Sequence, residues 1–239
     1  AHSDCKQQEL FTSVHMKNVD NPIKIIYEDN LPLVVEKPPN MPVQRDISND
    51  EDMLGILKED IKARYNKPGN VFLGLVHRLD RPVGGVMVFA RTSKAASRLS
   101  DQIRRRIFGK EYFAVVRGSI RVPKGEYRHY LLKDTASNIV SVADSNTPNA
   151  KEAVLDYEVL DYKDGLSLVR VNLHTGRPHQ IRVQFATEGN PLFGDQKYGA
   201  SLNKKGQQIA LWSYKIRLKH PTKNDAMEFT SNPPAAFPW

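Results

Sequence analysis

The chain has 239 residues, 40% apolar and 26% charged, an ordinary globular composition with length for one large domain or two small ones. A single cysteine, Cys5, excludes a disulfide scaffold and a cysteine-rich zinc site and fits a reducing cytoplasm. The apolar runs are far shorter than the ~20 residues of a membrane helix, and the first residues lack the pattern of a signal peptide.

The net charge of +8 is unevenly placed: −6 over residues 1–60, +12 over 61–128, −4 over 129–169 and +7 over 170–220. Two basic segments separated by an acidic one point to a polyanion such as nucleic acid, provided the fold brings them together.

Residues 1–20 are polar and aperiodic and read as a flexible tail, with Met16 a candidate native start; residues 21–239 read as one domain. Ile23 to Tyr27 and Leu31 to Val35 are strand-like, and Lys37-Pro-Pro39 ends the second. Leu54, Leu57 and Ile61 at helical spacing predict a helix over 52–65. A short run from Phe72 to Val76, a polar loop from His77 to Gly85 and a strand from Val86 to Ala90 follow. Ser93 is the expected cap of a helix with Ala96, Leu99, Ile103 and Ile107 on one face, stopped by Gly109. Lys110 to Arg117 alternates as a strand, and Val122 to Gly125 reads as a turn. Val154 to Leu160 and Leu166 to Leu173 predict a hairpin turning over Asp161–Gly165. Pro178 and Gly189 bracket an expected helix of about ten residues. Ile209 to Leu218 is a late strand, and the Pro-rich end reads as irregular. Strands outnumber helices and most connections are short, so the expected class is α+β with a mainly antiparallel sheet.

Asp80 is the only acid among residues 61–100 and is flanked by Arg78 and Arg81, a setting that favours an ionised carboxylate. It suits either a nucleophile or charge stabiliser, or a structural ion pair in a tight turn. Arg182 lies between Ile181 and Val183 in a mostly apolar segment. A guanidinium so placed either snorkels to water or needs a carboxylate or phosphate; Asp80 is a candidate. Tyr112 suits core packing with a bonded hydroxyl or a place in a site. His77, His174 and His179 lack the spacing and companion ligands of a zinc site, and no phosphate-cradling glycine loop or dinucleotide fingerprint is present.

His77-Arg-Leu-Asp-Arg81, Lys110-Glu-Tyr-Phe-Ala114 and Gly176-Arg-Pro-His-Gln-Ile-Arg-Val183 resemble, in order, the three catalytic motifs of the RluA family of RNA pseudouridine synthases. Flanking segments agree: Ile25 to Asp29, Leu33 to Pro38, Pro191 to Asp195, Tyr198-Gly199 and His220-Pro221. The chain departs from the family's common pattern at Pro82-Val-Gly-Gly85, where Thr-Ser-Gly is usual, and at Gln184, where His is frequent. Only about 20 residues precede the first strand, so a member without an S4 RNA-binding domain is expected.

The resemblance implies conversion of uridine to pseudouridine in structured ribosomal or transfer RNA, by a cytoplasmic enzyme, a monomer, using neither metal nor cofactor. Asp80 matches the essential aspartate, Arg182 the arginine that pairs with it, and Tyr112 the tyrosine against the base, packing on it or helping to remove the C5 proton. Arg78 matches a position that fills the gap left by a flipped nucleotide, and Ile181 packs on the uracil. Arg81, Arg177 and His179 are implied substrate contacts. Two other readings compete: an RNA-binding or ribosome-maturation factor without turnover, and a hydrolase using a lone aspartate.

Overall fold

The computed structural model describes residues 21–239, so the expected tail, with Cys5 and Met16, lies outside the described residues. Strands β1 (Lys24–Glu28) and β2 (Pro32–Lys37) form an opening hairpin, followed by helix α1 (Met53–Arg64) and strands β3 (Gly74–Leu75) and β4 (Gly84–Ala90). Helix α2 (Ser93–Arg104) leads into β5 (Gly109–Arg117), β6 (Lys124–Asp134), β7 (Ile139–Ala143), β8 (Lys151–Lys163) and β9 (Leu166–Leu173). Helix α3 (Gln180–Thr187), β10 (Leu211–Lys219) and β11 (Ala226–Thr230) complete the elements.

Among the described residues the eleven strands form one sheet, ordered β1-β2-β4-β10-β5-β9-β8-β6-β7, with β11 on β10 and β3 on β4. Every pairing between these strands is antiparallel except β4 with β10. The class is therefore α+β with a mixed, mainly antiparallel sheet.

The parallel seam explains two adjacent glycines. Trp212 and Ser213 pair with Gly84 and Gly85. A Cβ on Gly84 would lie 2.4 Å from the Trp212 ring, and one on Gly85 would lie 2.2 Å from the Ser213 carbonyl oxygen. Gly85 also has φ +124°, a conformation open to glycine and strained for other residues. The departure at Pro82-Val-Gly-Gly85 thus serves strand contact as β4 begins.

β2 and β4 are buried on both faces, which is why they read as unbroken apolar runs. Leu33, Val35, Met87 and Phe89 join the core under α1, whereas Val34, Val86 and Val88 meet Leu99 of α2 and Ile216 of β10. Burying each such side chain contributes about 1.5–3 kcal/mol relative to exposure. In α1, Met53, Leu57 and Ile61 are the buried apolar residues, and the Asp52 side chain accepts from the Gly55 amide at 3.1 Å.

Several local expectations are corrected. Thr92, not Ser93, caps α2, its hydroxyl accepting from the Ala95 amide. That helix stops at Arg104, with Arg106 rather than a glycine in the left-handed conformation (φ 59°), and Ile107 lies beyond it, exposed. The β8–β9 turn is tighter than expected, with Asp164 and Gly165 both at positive φ, as a two-residue hairpin turn requires. Helix α3 begins at Gln180 because His179 (φ 53°) blocks backward extension to Pro178. β6, β7 and β11 were not expected.

Candidate active site

A cleft of about 1070 Å³ runs across the seam. The loop from β3 to β4, β5, and the segment entering α3 all line it. It contains Asp80, Tyr112 and Arg182 together with Arg78, Arg81, Arg177, His179 and Ile181, so every candidate residue read from the sequence meets in one place. The two basic segments face each other across it as expected: Arg78, Arg104, Arg106 and Lys110 come from the first, Arg177 and Arg217 from the second.

The Asp80 loop is held from below by a residue the sequence reading missed. Lys37, at the end of β2, is fully buried. Its ammonium donates to the carbonyl oxygens of Pro38 (3.0 Å), Arg81 (2.8 Å) and Val83 (2.7 Å), one N–H for each acceptor. The Val83 amide closes the turn onto the Asp80 carbonyl at 2.9 Å. From the rim, Gln208 donates to the Pro82 carbonyl at 2.7 Å. These bonds point the Asp80 carboxylate into the cleft, 29% exposed.

Arg182 turns one nitrogen toward Asp80, Nη1 to Oδ2, at 3.4 Å. That is the expected pair, but a second carboxylate lies closer. The guanidinium donates in a fork to Asp195, Nε to Oδ2 at 3.0 Å and Nη2 to Oδ1 at 2.9 Å, and the Asp195 side chain is fully out of water. Burial disfavours a charged Arg182, but Asp195, then Asp80, hold it protonated. The plane also stacks over Tyr198, 5.2 Å from the ring centre. Asp195 ends the apolar Leu192-Phe193-Gly194 run and is followed by Gln196 and Lys197, so nothing local marks it as buried.

His179 places Nε2 3.9 Å from Asp80 Oδ1. The Tyr198 hydroxyl accepts from the Val140 amide and shares a second hydrogen bond with His179 Nδ1, which fixes the ring with Nε2 facing Asp80. Burial lowers the His179 pKa more than Asp80 raises it, keeping the ring neutral near pH 7.

Tyr112 is buried, and its hydroxyl is pushed well above the ordinary phenol range by burial first and by Asp80 second, against a weaker effect of Ser213. It is a neutral phenol at physiological pH, which favours packing over proton abstraction. With Ile181, Leu79 and Leu211 it gives the cleft an apolar wall beside the carboxylate. Arg81, expected beside Asp80, turns away to pair with Asp46 (3.4 Å) and Asp50 and to donate to Ser48 (3.1 Å). Arg78 is exposed at the rim.

His77 anchors the start of the loop, its Nε2 accepting from the Val88 amide at 3.1 Å. Burial, with a contribution from Lys110, pushes its pKa down to about 3. The unfolded ring titrates near ~6.5, so between the two values the unfolded state binds the extra proton. Stability is therefore expected to fall as pH drops from about 6.5 towards 3, by up to about 1.4 kcal/mol per pH unit. Urea unfolding at pH 7 and pH 4.5 should show a gap that narrows in His77→Gln; an unchanged gap would refute this origin.

The RNA pseudouridylate synthase family matches residues 31–187. An uncharacterized RNA pseudouridine synthase of Aquifex aeolicus is 33% identical over 227 residues, 90% of this chain and 71% of that protein. Ribosomal large subunit pseudouridine synthase D of Salmonella typhimurium is 31% identical over 235 residues, 92% of this chain and 70% of that protein. The solved structure of human RNA pseudouridylate synthase domain containing 4 superimposes with a TM-score of 0.73 at 22% identity, covering 89% of each chain, a likeness of fold. Motif order, fold and sequence similarity together place the chain in the RluA family of RNA pseudouridine synthases.

Proposed function

We propose that this enzyme isomerises particular uridines in structured RNA, with ribosomal RNA favoured over transfer RNA, and that Asp80 is its catalytic carboxylate. Similarity to a ribosomal large subunit synthase supports the choice of RNA. The observation that carries the mechanism is the placing of Asp80, steadied by an Arg182 that Asp195 already grips, beside an apolar wall of the cleft.

The reaction breaks the N1–C1′ bond, turns the uracil and joins C5 to C1′; the C5 proton leaves and N1 gains one. Uridine and product are isomers, so no redox partner or nucleotide is consumed. C1′ and C5 are inaccessible in a stacked helix, so the nucleotide is flipped into the cleft. Asp80 either attacks the ribose or deprotonates it, and both roles use the ionised form. The neutral Tyr112 packs on the uracil with Ile181. Arg78 fills the vacated stack, and Arg177 and His179 contact the strand. Arg81, tied to Asp46 and Asp50, reaches RNA by exchanging those partners for a phosphate. We place the enzyme in the cytoplasm as a monomer, without metal.

Asp80→Asn should reduce pseudouridine formation in unmodified large-subunit ribosomal RNA transcripts at least about a thousandfold, about 4 kcal/mol of transition-state stabilisation. Binding of the same RNA should change less than about threefold, since the carboxylate gives no affinity for phosphates. Unchanged modification would sink the role of Asp80; wild-type binding without product would favour an RNA-binding factor, and free uracil a hydrolase.

A further inference from the structure

Lys110 stands on β5 two residues before Tyr112 and therefore on the same face of the sheet. It lines the cleft and is half-buried. Among the described residues no carboxylate or carbonyl lies within bonding distance of its ammonium, in contrast to Lys37 with three acceptors. Its sequence neighbour Glu111 is engaged elsewhere, by Arg170 and Arg217.

The third motif is shaped around this lysine. A Cβ on Gly176 would lie 2.5 Å from Lys110 Nζ, so the ammonium occupies the notch that a glycine leaves open. Gly176 does not adopt a positive φ, and the need for glycine is one of space. The next residue, Arg177, donates through Nε to the Glu152 carbonyl at 2.8 Å and has no carboxylate partner among the described residues. Arg177 adjoins the glycine that Lys110 Nζ abuts and lines the same cleft, so the two cations share one edge of it; burial, and then Arg177, lower the Lys110 pKa. Two cations held together without an acid are destabilising for the free fold. An anion from outside relieves that repulsion, and a phosphodiester matches both a point-charge ammonium and a planar guanidinium.

We infer that Lys110, seated at Gly176, and the adjoining Arg177 form a seat for one RNA phosphodiester in the cleft that holds Asp80. The assignment rests on the RNA reading above. Lys110 is here a substrate-positioning residue that fixes the strand on which the target uridine lies.

The test uses Lys110→Met, Lys110→Arg and Gly176→Ala in the full chain, with a fluorescein-labelled RNA stem–loop carrying one loop uridine as binding probe. Each phosphate contact contributes about 0.7–0.9 to the slope of log affinity against log salt. Lys110→Met should lose about that much slope and bind about tenfold more weakly at low salt. On unmodified ribosomal RNA transcripts it should raise KM about tenfold with kcat within about twofold, the pattern of lost uniform binding. Lys110→Arg should keep the slope, and Gly176→Ala, whose methyl displaces the ammonium, should behave like Lys110→Met. Removing an unpaired, half-buried cation should also raise the melting temperature of Lys110→Met. An unchanged slope in Lys110→Met overturns the seat whatever happens to stability; a lower melting temperature with that slope assigns the lysine to packing. If inorganic phosphate alone stabilises the wild type and not Lys110→Met, the seat takes a free anion and the phosphodiester assignment fails. If the wild type makes no pseudouridine while Lys110→Met still loses slope, the catalytic reading fails and the seat stands.

Discussion

Asp195→Ala should cost the fold about 3–5 kcal/mol, the usual loss when one member of a buried ion pair is removed and the other remains. The Arg182 guanidinium is 9% exposed and would keep Asp80, at 3.4 Å, as its remaining carboxylate. The backbone adds to the loss: Asp195 Oδ1 also accepts from the amides of Lys197 (3.0 Å) and Tyr198 (3.1 Å). Each donor left unpaired in the interior costs about 1–3 kcal/mol. Together these approach the whole stability of an ordinary domain, about 5–15 kcal/mol. Asp195→Asn, which keeps the shape and removes the charge, is the milder variant and should lose about 2–3 kcal/mol. Its Arg182 should draw closer to Asp80 and lower turnover without weakening RNA binding. Urea unfolding with paired kinetics checks both; an Asp195→Asn protein within about 0.5 kcal/mol of wild type would show that the fork adds nothing. Asp80 itself, at the edge of the same pair but partly in water, should be replaceable by Asn at little cost to stability.

Lys37→Met should reduce turnover about a hundredfold without touching substrate. It leaves the carbonyls of Pro38, Arg81 and Val83 without their donor, and the loop carrying Asp80 loses its clamp. A displacement of about 1 Å at a reacting group is enough for a loss of that size. The stability change is smaller, because unpaired carbonyls are offset by no longer burying a charge; about 1–3 kcal/mol of net loss is expected. Burial pushes the Lys37 pKa down to about 7, with Asp80 raising it and Arg81 lowering it. An unfolded lysine titrates near ~10.4, so between the two values the unfolded state holds the extra proton. Wild-type stability should therefore rise from about pH 7 to about pH 10, by up to about 1.4 kcal/mol per unit, and be lowest in this respect below pH 7. Lys37→Met lacks that rise. Unfolding curves at pH 7 and 9 that shift equally in both proteins would show that Lys37 does not titrate there.

The strands around the site were legible where burial leaves an unbroken apolar run or a clean alternation, as in β2, β4, β5 and β9. β6 and β7 were not. Their side chains are mostly exposed or half-buried, and β6 gains partners that sequence does not display, such as Arg128 with Glu152 and Gln184 with the Tyr127 carbonyl. The convergence of Asp80, Tyr112 and Arg182 was legible through motif resemblance and through the oddity of a guanidinium in an apolar helix. The grip of Asp195 on Arg182 was not, because Asp195 stands at the start of a polar stretch, before Gln196 and Lys197, where a carboxylate is ordinary. Lys37 was read only as the end of a strand, because nothing local says that its ammonium turns inward to two carbonyls from another part of the chain, those of Arg81 and Val83.

The position of β10 between β4 and β5 also dictates when the site comes into being. β4 follows the Asp80 loop and β5 carries Tyr112, yet neither strand pairs with the other; each pairs with β10. During synthesis the two half-sheets have no shared strand until residues 211–219 have been made. Closing so distant a contact is a late step in folding. The nascent chain thus carries both basic segments well before the two halves of the cleft are joined, and the docking of a single strand joins them.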